Sequence, residues 1–219
     1  PVNLSFHSPW GKSTGSVLPT GNTVDQLQVD GRTLSATMVD AGAPAVLLPA
    51  EEAGVDLSSM TDNLAAQLPT LIAARASAGL IMGLRKPGDP PQNAVPKVGV
   101  VAPAGDYIAA DGSTITADSH DVRVRMLSML APHPAIGLTS AVAVALAASQ
   151  PSSVVAEAAG QPSTAGGPRV LRIGTPAGVI TADIITDDTG AVSEVALHRA
   201  ARHIATADID VAPAAELSA

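Results

Sequence analysis

Cysteine is missing altogether from this chain of 219 residues. That excludes a disulfide framework, a thiolate nucleophile and a Cys-based metal centre. Aromatic residues are nearly missing as well, with only Phe6, Trp10 and Tyr107 present. With so few rings to fill space, the core has to be assembled from Val, Leu, Ile and Ala, which draws its elements close together. No run of Lys and Arg interrupts a net charge of −8, so no surface suits the phosphate backbone of a nucleic acid. The longest wholly apolar run, 141–148, falls far short of the roughly 20 residues that span a bilayer. No charged-then-apolar leader opens the sequence, so the expectation is a soluble, cytoplasmic protein with no membrane attachment.

What is present is aliphatic. Hydrophobic residues make up 46% and charged ones 15%, enough for one sizeable core. Residues 2–6 alternate as a strand, and 24–29 and 33–39 read as a hairpin turning on Asp30-Gly31. Residues 44–50 read as a short buried strand. The stretch 58–84 has helical spacing after a cap at Thr61 or Asp62, with Pro69 kinking or restarting the helix. Strands follow at 97–105 and 120–130 around a turn at Asp111-Gly112, and 169–204 closes the chain as strands with a last strand or short helix. Residues 86–96 and 161–168 are rich in Pro and Gly and read as surface loops. Strands outnumber helices. The expected fold is α+β, a single domain over 1–219 in which a curled mixed sheet wraps a buried central helix.

That central helix is "PAIGLTSAVAVALAAS", expected to start at Pro134 with His133 as its cap. Between Ala141 and Ala148 it has no polar face, and a helix apolar all round is buried all round. Its N-terminus is the chemically active end. Unpaired N–H groups and the helix dipole attract anions there, and His133, Thr139 and Ser140 stand beside it. Simple capping is the competing explanation for those three residues, and on spacing alone the better one. A phosphate loop at "WGKSTG" fails because Phe6 stands where the motif needs glycine, and Pro19 and Gly21 follow where it needs a helix. What remains is a Gly-flanked loop able to offer N–H groups and hydroxyls to a carboxylate. The five histidines are too scattered for a metal site. His198 and His203 lack the i, i+4 spacing of a helical zinc pair.

Five stretches in order, "GKSTGSVLPTGN", "VDAGAPAVLLPA", "PKVGVVAP", "DVRVRMLSMLAPHPAIGLTSAVAVALAA" and "ALHRAARHIATADIDV", resemble the C-terminal half of the PrpF family. That family includes 2-methylaconitate and methylitaconate isomerases and 4-oxalomesaconate tautomerase. The resemblance implies a fold similar to diaminopimelate epimerase, with two like domains and an active site in the cleft between them. It implies a 1,3-proton shift, without cofactor or metal, that moves the double bond of a small unsaturated di- or tricarboxylate. On this resemblance Gly11, Ser13, Thr14 and Gly15 form one carboxylate-binding loop. Ser128, Met129 and His133 line the cleft, with His133 as the candidate proton donor or relay, and Thr139 and Ser140 sit at the mouth of the central helix. Ser140 stands where the family has glycine and Ala177 where it often has serine. The family's proton-transfer Lys and Cys belong to its N-terminal domain and have no counterpart here. The resemblance therefore implies a partner chain carrying that domain, or a homo-oligomer. A carboxylate-binding accessory module is the alternative.

Overall fold

The computed structural model describes residues 1–58, 63–90, 92–160 and 169–210. In chain order the strands are β1 (Val2–His7), β2 (Asp25–Val29), β3 (Arg32–Ala41), β4 (Ala43–Pro49), β5 (Lys97–Pro103), β6 (Tyr107–Ile108) and β7 (Thr114–Ile115). They continue with β8 (Val122–Ser128), β9 (Ala131–Pro132), β10 (Arg169–Thr175), β11 (Gly178–Thr186) and β12 (Val192–Arg199). The helices are α1 (Leu68–Ile81), α2 (Leu138–Ala148) and α3 (Val154–Ala158).

One mixed sheet runs in the order β1-β12-β11-β10-β8-β5-β4-β3-β2. β4 with β5 and β8 with β10 are its parallel pairs, and the rest are antiparallel. The sheet curls around α2, which touches β3, β4, β11 and β12 from inside the curl. Every residue from Ser140 to Ala148 is buried, so the dry helix of the sequence is the axle of the fold. Alanine lets strands approach it from several sides, while Val142, Val144 and Leu146 supply bulk. Burying a side chain of that size is worth about 1.5–3 kcal/mol.

A second core lies on the opposite face of β2–β5, under α1. A 3₁₀ turn, Asn63–Gln67, precedes α1, and Pro69 sits in the helix's first turn. There its missing N–H costs nothing, so the proline restarts the helix rather than kinking it. The predicted caps Thr61 and Asp62 lie outside the described residues, as does the loop 161–168. The stretch Asn63–Ile81 is long and apolar enough to cross a membrane by length and composition. It nonetheless lays Leu64, Leu71, Ala74 and Ala78 into this second core. Residues 86–90 are exposed and carry no regular element.

Asp30 and Gly31 have φ of 49° and 75°, the doubly positive geometry of a type I′ turn joining β2 to β3. Two expectations need correction. The turn at Asp111-Gly112 does not join β5 to β8; it closes the small β6–β7 ladder, while β5 pairs with β8 directly. The central helix does not start at Pro134. Its N-cap is Gly137, and Pro132 already pairs in β9. The His133 N–H donates to the Met126 carbonyl at 2.8 Å, so backbone pairing to β8 holds the Pro-His-Pro segment out of the helix.

Candidate active site at the mouth of the central helix

Two segments reach the N-terminus of α2, and a third lies beside one of them in the sheet. The first is the glycine loop after β1. Trp10 bridges Ala41 and donates its indole N–H to the Val192 carbonyl at 3.0 Å, so this segment ties the two flanks of the curled sheet together. The Gly42 N–H donates to the Pro9 carbonyl. A Cβ at Gly42 would lie 3.0 Å from the Thr139 carbonyl and 3.2 Å from Val142 Cβ. The loop and the first turn of α2 are thus packed through a residue that has room only for glycine.

Asp40, at the end of β3, organises the loop. Its Oδ2 accepts the backbone N–H groups of Ser13 at 2.8 Å and Thr14 at 2.7 Å, and the Thr14 hydroxyl at 3.0 Å. This corrects the expectation that the amides of Ser13 and Thr14 are open to a ligand, because the chain's own carboxylate already holds them. Gly11 and Gly15 close the loop on itself, the Gly15 N–H donating to the Gly11 carbonyl at 2.9 Å. Ser13 and Lys12 face solvent.

The second segment is the β8–β9 hairpin. Ser128 pairs with Ala131 and Leu127 with Pro132, leaving Met129 and Leu130 as an exposed tip. Met129 has φ 57°, and its carbonyl accepts from Arg75 Nη2 at 2.6 Å. Arg75 is buried in α1 and donates its other terminal nitrogen to the Asn93 carbonyl at 2.7 Å. Burial lowers the pKa of its guanidinium. One side chain of α1 therefore fixes the hairpin tip from behind. His133 follows. Its Nδ1 accepts the Ala135 N–H at 3.0 Å, which leaves the proton of the neutral ring on Nε2. That nitrogen points at the helix start, 4.0 Å from where a Cβ on Gly137 would lie; Ser140 Oγ is 3.6 Å from the same point.

The third is β5. Gly99 pairs with Met126, on the face turned toward α2, and Val101 lies in the core around α2. Strand alternation places Lys97, two residues before Gly99, on that same face. The register carries it opposite Ser128, the residue two past Met126. Sequence reading missed Lys97 and Asp40; the alternation in "KVGVV" carried the signal for the first.

The N-cap of α2 is Gly137, which makes no side-chain cap hydrogen bond, so among the described residues no N-cap hydroxyl takes the first N–H groups of the helix. Thr139 and Ser140 belong to this first turn, with Ser140 buried. A helix N-terminus and a lysine are both suited to a carboxylate, and His133 lies beside the first of them while the β5–β8 register places Lys97 opposite Ser128.

Behind the hairpin, a buried cluster stiffens the opposite face of the sheet. The Tyr107 hydroxyl donates to the Thr175 carbonyl at 2.9 Å, and the Arg125 guanidinium carbon lies 4.9 Å from the ring centroid. His120 meets Tyr107 edge-on with centroids 5.5 Å apart, above Gly174, where a Cβ would lie 2.8 Å from the imidazole. Burial raises the Tyr107 pKa and lowers that of His120. Ala177 sits in the neighbouring turn and donates its N–H to Thr175 Oγ1. His198 and His7 pair with Asp183 and Glu194 at 2.7 and 3.3 Å, as surface ion pairs would.

The family model described as PrpF protein matches residues 1–212. The chain belongs to the PrpF family. A 2-methyl-aconitate isomerase of Shewanella oneidensis is 35% identical over 188 residues, covering 82% of this PrpF chain and 46% of its own. A (4E)-oxalomesaconate Delta-isomerase of Novosphingobium sp. (strain KA1) is also 35% identical, covering 93% of this chain and 52% of its own. The crystal structure of a methylitaconate-delta-isomerase superposes with a TM-score of 0.78 at 26% identity, over 89% of this chain and 52% of that one. The curled sheet around α2 is therefore one domain of the diaminopimelate epimerase-like type. The chain spans about half the length of the curated relatives it matches.

Proposed function

We propose that this PrpF chain is the carboxylate-binding half of a cofactor-independent isomerase. The reaction is a 1,3-proton shift that moves the double bond of a small unsaturated di- or tricarboxylate. The observation that supports the reading is His133 Nε2 beside Gly137 at the start of α2, with Lys97 and Ser128 brought opposite each other by the β5–β8 register on the face of the sheet toward α2.

Removing a proton from the carbon next to the double bond spreads negative charge through the conjugated system onto a carboxylate. Donors fixed around that carboxylate stabilise the charge as it forms. Lys97 and the first N–H groups of α2 hold the carboxylate, Ser128 and Thr139 orient it, and His133 offers its Nε2 proton as donor or relay. Ser140 narrows the helix end. The Gly11–Gly15 loop walls the mouth, with Ser13 outward and its amides braced by Asp40. The base that takes the first proton comes from a second chain bearing the other half of the relatives' length, docked over the exposed tip at Met129 and Leu130.

Mixing the purified chain with a chain carrying that other half should restore isomerisation of 2-methylaconitate or oxalomesaconate, followed by ultraviolet absorbance. A folded, mixed pair without activity on either compound contradicts the proposal. The half-length coverage also supports a second reading, a module that binds a carboxylate without turning it over. That reading predicts a saturable thermal shift and no deuterium entering the ligand from D₂O, even with the second chain present.

A further inference from the structure

Arg75 is a costly residue to place where it lies. It belongs to α1, on the face of the sheet away from α2, and is only 2% exposed. Burying a guanidinium takes a full charge out of water, and a packed apolar side chain in its place often serves stability as well or better. What the guanidinium supplies instead is a planar fork of donors that fixes the geometry of whatever it holds.

Its two terminal nitrogens hold two different segments. Nη1 donates to the Asn93 carbonyl at 2.7 Å and Nη2 to the Met129 carbonyl at 2.6 Å. Each acceptor leads directly to a residue of the proposed carboxylate site. Met129 follows Ser128, the last residue of β8. Its φ of 57° is a conformation that a residue with a long side chain keeps only where its surroundings hold it. Asn93 lies four residues before Lys97, the first residue of β5. The link between them is stiff, because buried Pro96 has its φ fixed by its ring. α1 also packs on that proline at Gly79, where a Cβ would lie 3.4 Å from Pro96 Cδ. One helix thus grips the entry to β5 and the exit from β8, the point at which their register sets Lys97 opposite Ser128.

We infer that Arg75 is a positioning residue for carboxylate binding: by tying Asn93 to Met129 it fixes Lys97 and Ser128 relative to each other on the far face of the sheet. It acts through the backbone of both strands rather than by touching the ligand. The inference rests on the carboxylate site proposed on the α2 side.

Calorimetric titration of the full chain with 2-methylaconitate, together with nuclear Overhauser contacts between the Lys97 and Ser128 side chains, tests it. Arg75→Met should keep the circular dichroism of the wild type, lose the Lys97–Ser128 contact and bind roughly tenfold more weakly. Adding Lys97→Met to Arg75→Met should then cost little more, because a displaced lysine has already lost its grip. Arg75→Lys keeps the charge but not the fork; it should show the same losses, and it carries the test if the Met variant does not fold. A folded variant that binds like the wild type overturns the inference. So does weakened binding with the Lys97–Ser128 contact intact and Lys97→Met still costing its full amount, the result of a merely structural role. A wild type that binds no 2-methylaconitate overturns the carboxylate site itself, and the inference with it.

Discussion

Asp40 shows how far a single side chain can redirect a reading. Its sequence context, Asp-Ala-Gly after a strand, suggests only the start of a turn. In the fold it collects three donors of the Gly11–Gly15 loop on one oxygen. Hydrogen bonds to a charged acceptor contribute about 1.5–3 kcal/mol each, and buried donors left unpaired cost a similar amount. Asp40→Ala should therefore lower the denaturant midpoint by the equivalent of roughly 2–4 kcal/mol, measured by chemical unfolding. It should also raise amide exchange at Ser13 and Thr14. At the same scale, His120 gives a pH dependence. Burial holds its folded pKa below the ordinary histidine value of 6.5, so below that pH the unfolded chain takes up a proton that the folded chain resists. Stability should be full above pH 6.5 and should fall as pH drops from there toward the folded pKa. Unfolding midpoints at pH 7.5 and 5.5 measure the loss, and His120→Gln should flatten it.

At the scale of elements, the strands and the buried helix were legible because their patterns are local. Alternation marks β1 to β3, the doubly positive turn is written in Asp30-Gly31, and an all-apolar Ala141–Ala148 can only be an axle. The start of α2 was not legible. Proline after histidine looks like a helix start, but the His133 N–H is claimed by Met126 across the β8–β9 ladder, a pairing no local signal announces. The same long-range closure hides the role of Gly42. Its φ of 64° and its contact with Thr139 make it the hinge between loop and helix. Gly42→Ala should cost about 1–3 kcal/mol, from backbone strain together with the displaced helix start. It should also weaken carboxylate binding, whereas Gly31→Ala, with nothing within 4 Å of the added Cβ, should cost stability alone. Thermal unfolding and titration calorimetry on both variants separate the two effects.

At the scale of the molecule, one curled sheet serves two cores, and the proposed site lies on the side around α2. The candidate site was half legible in the sequence. His133, Ser128 and the helix end follow from the resemblance, while Lys97 emerges only when β5 is placed in register with β8. Chain length matters here too. The chain spans about half the length of its relatives, and the proposed contribution of this PrpF chain is the grip on a carboxylate. Calorimetric titration of the full chain with 2-methylaconitate measures that grip directly. A carboxylate site at the mouth of α2 predicts saturable binding at one site per chain, weakened at least tenfold by Lys97→Met and by His133→Ala in proteins of unchanged circular dichroism. Absence of binding, or binding indifferent to both substitutions, would contradict it.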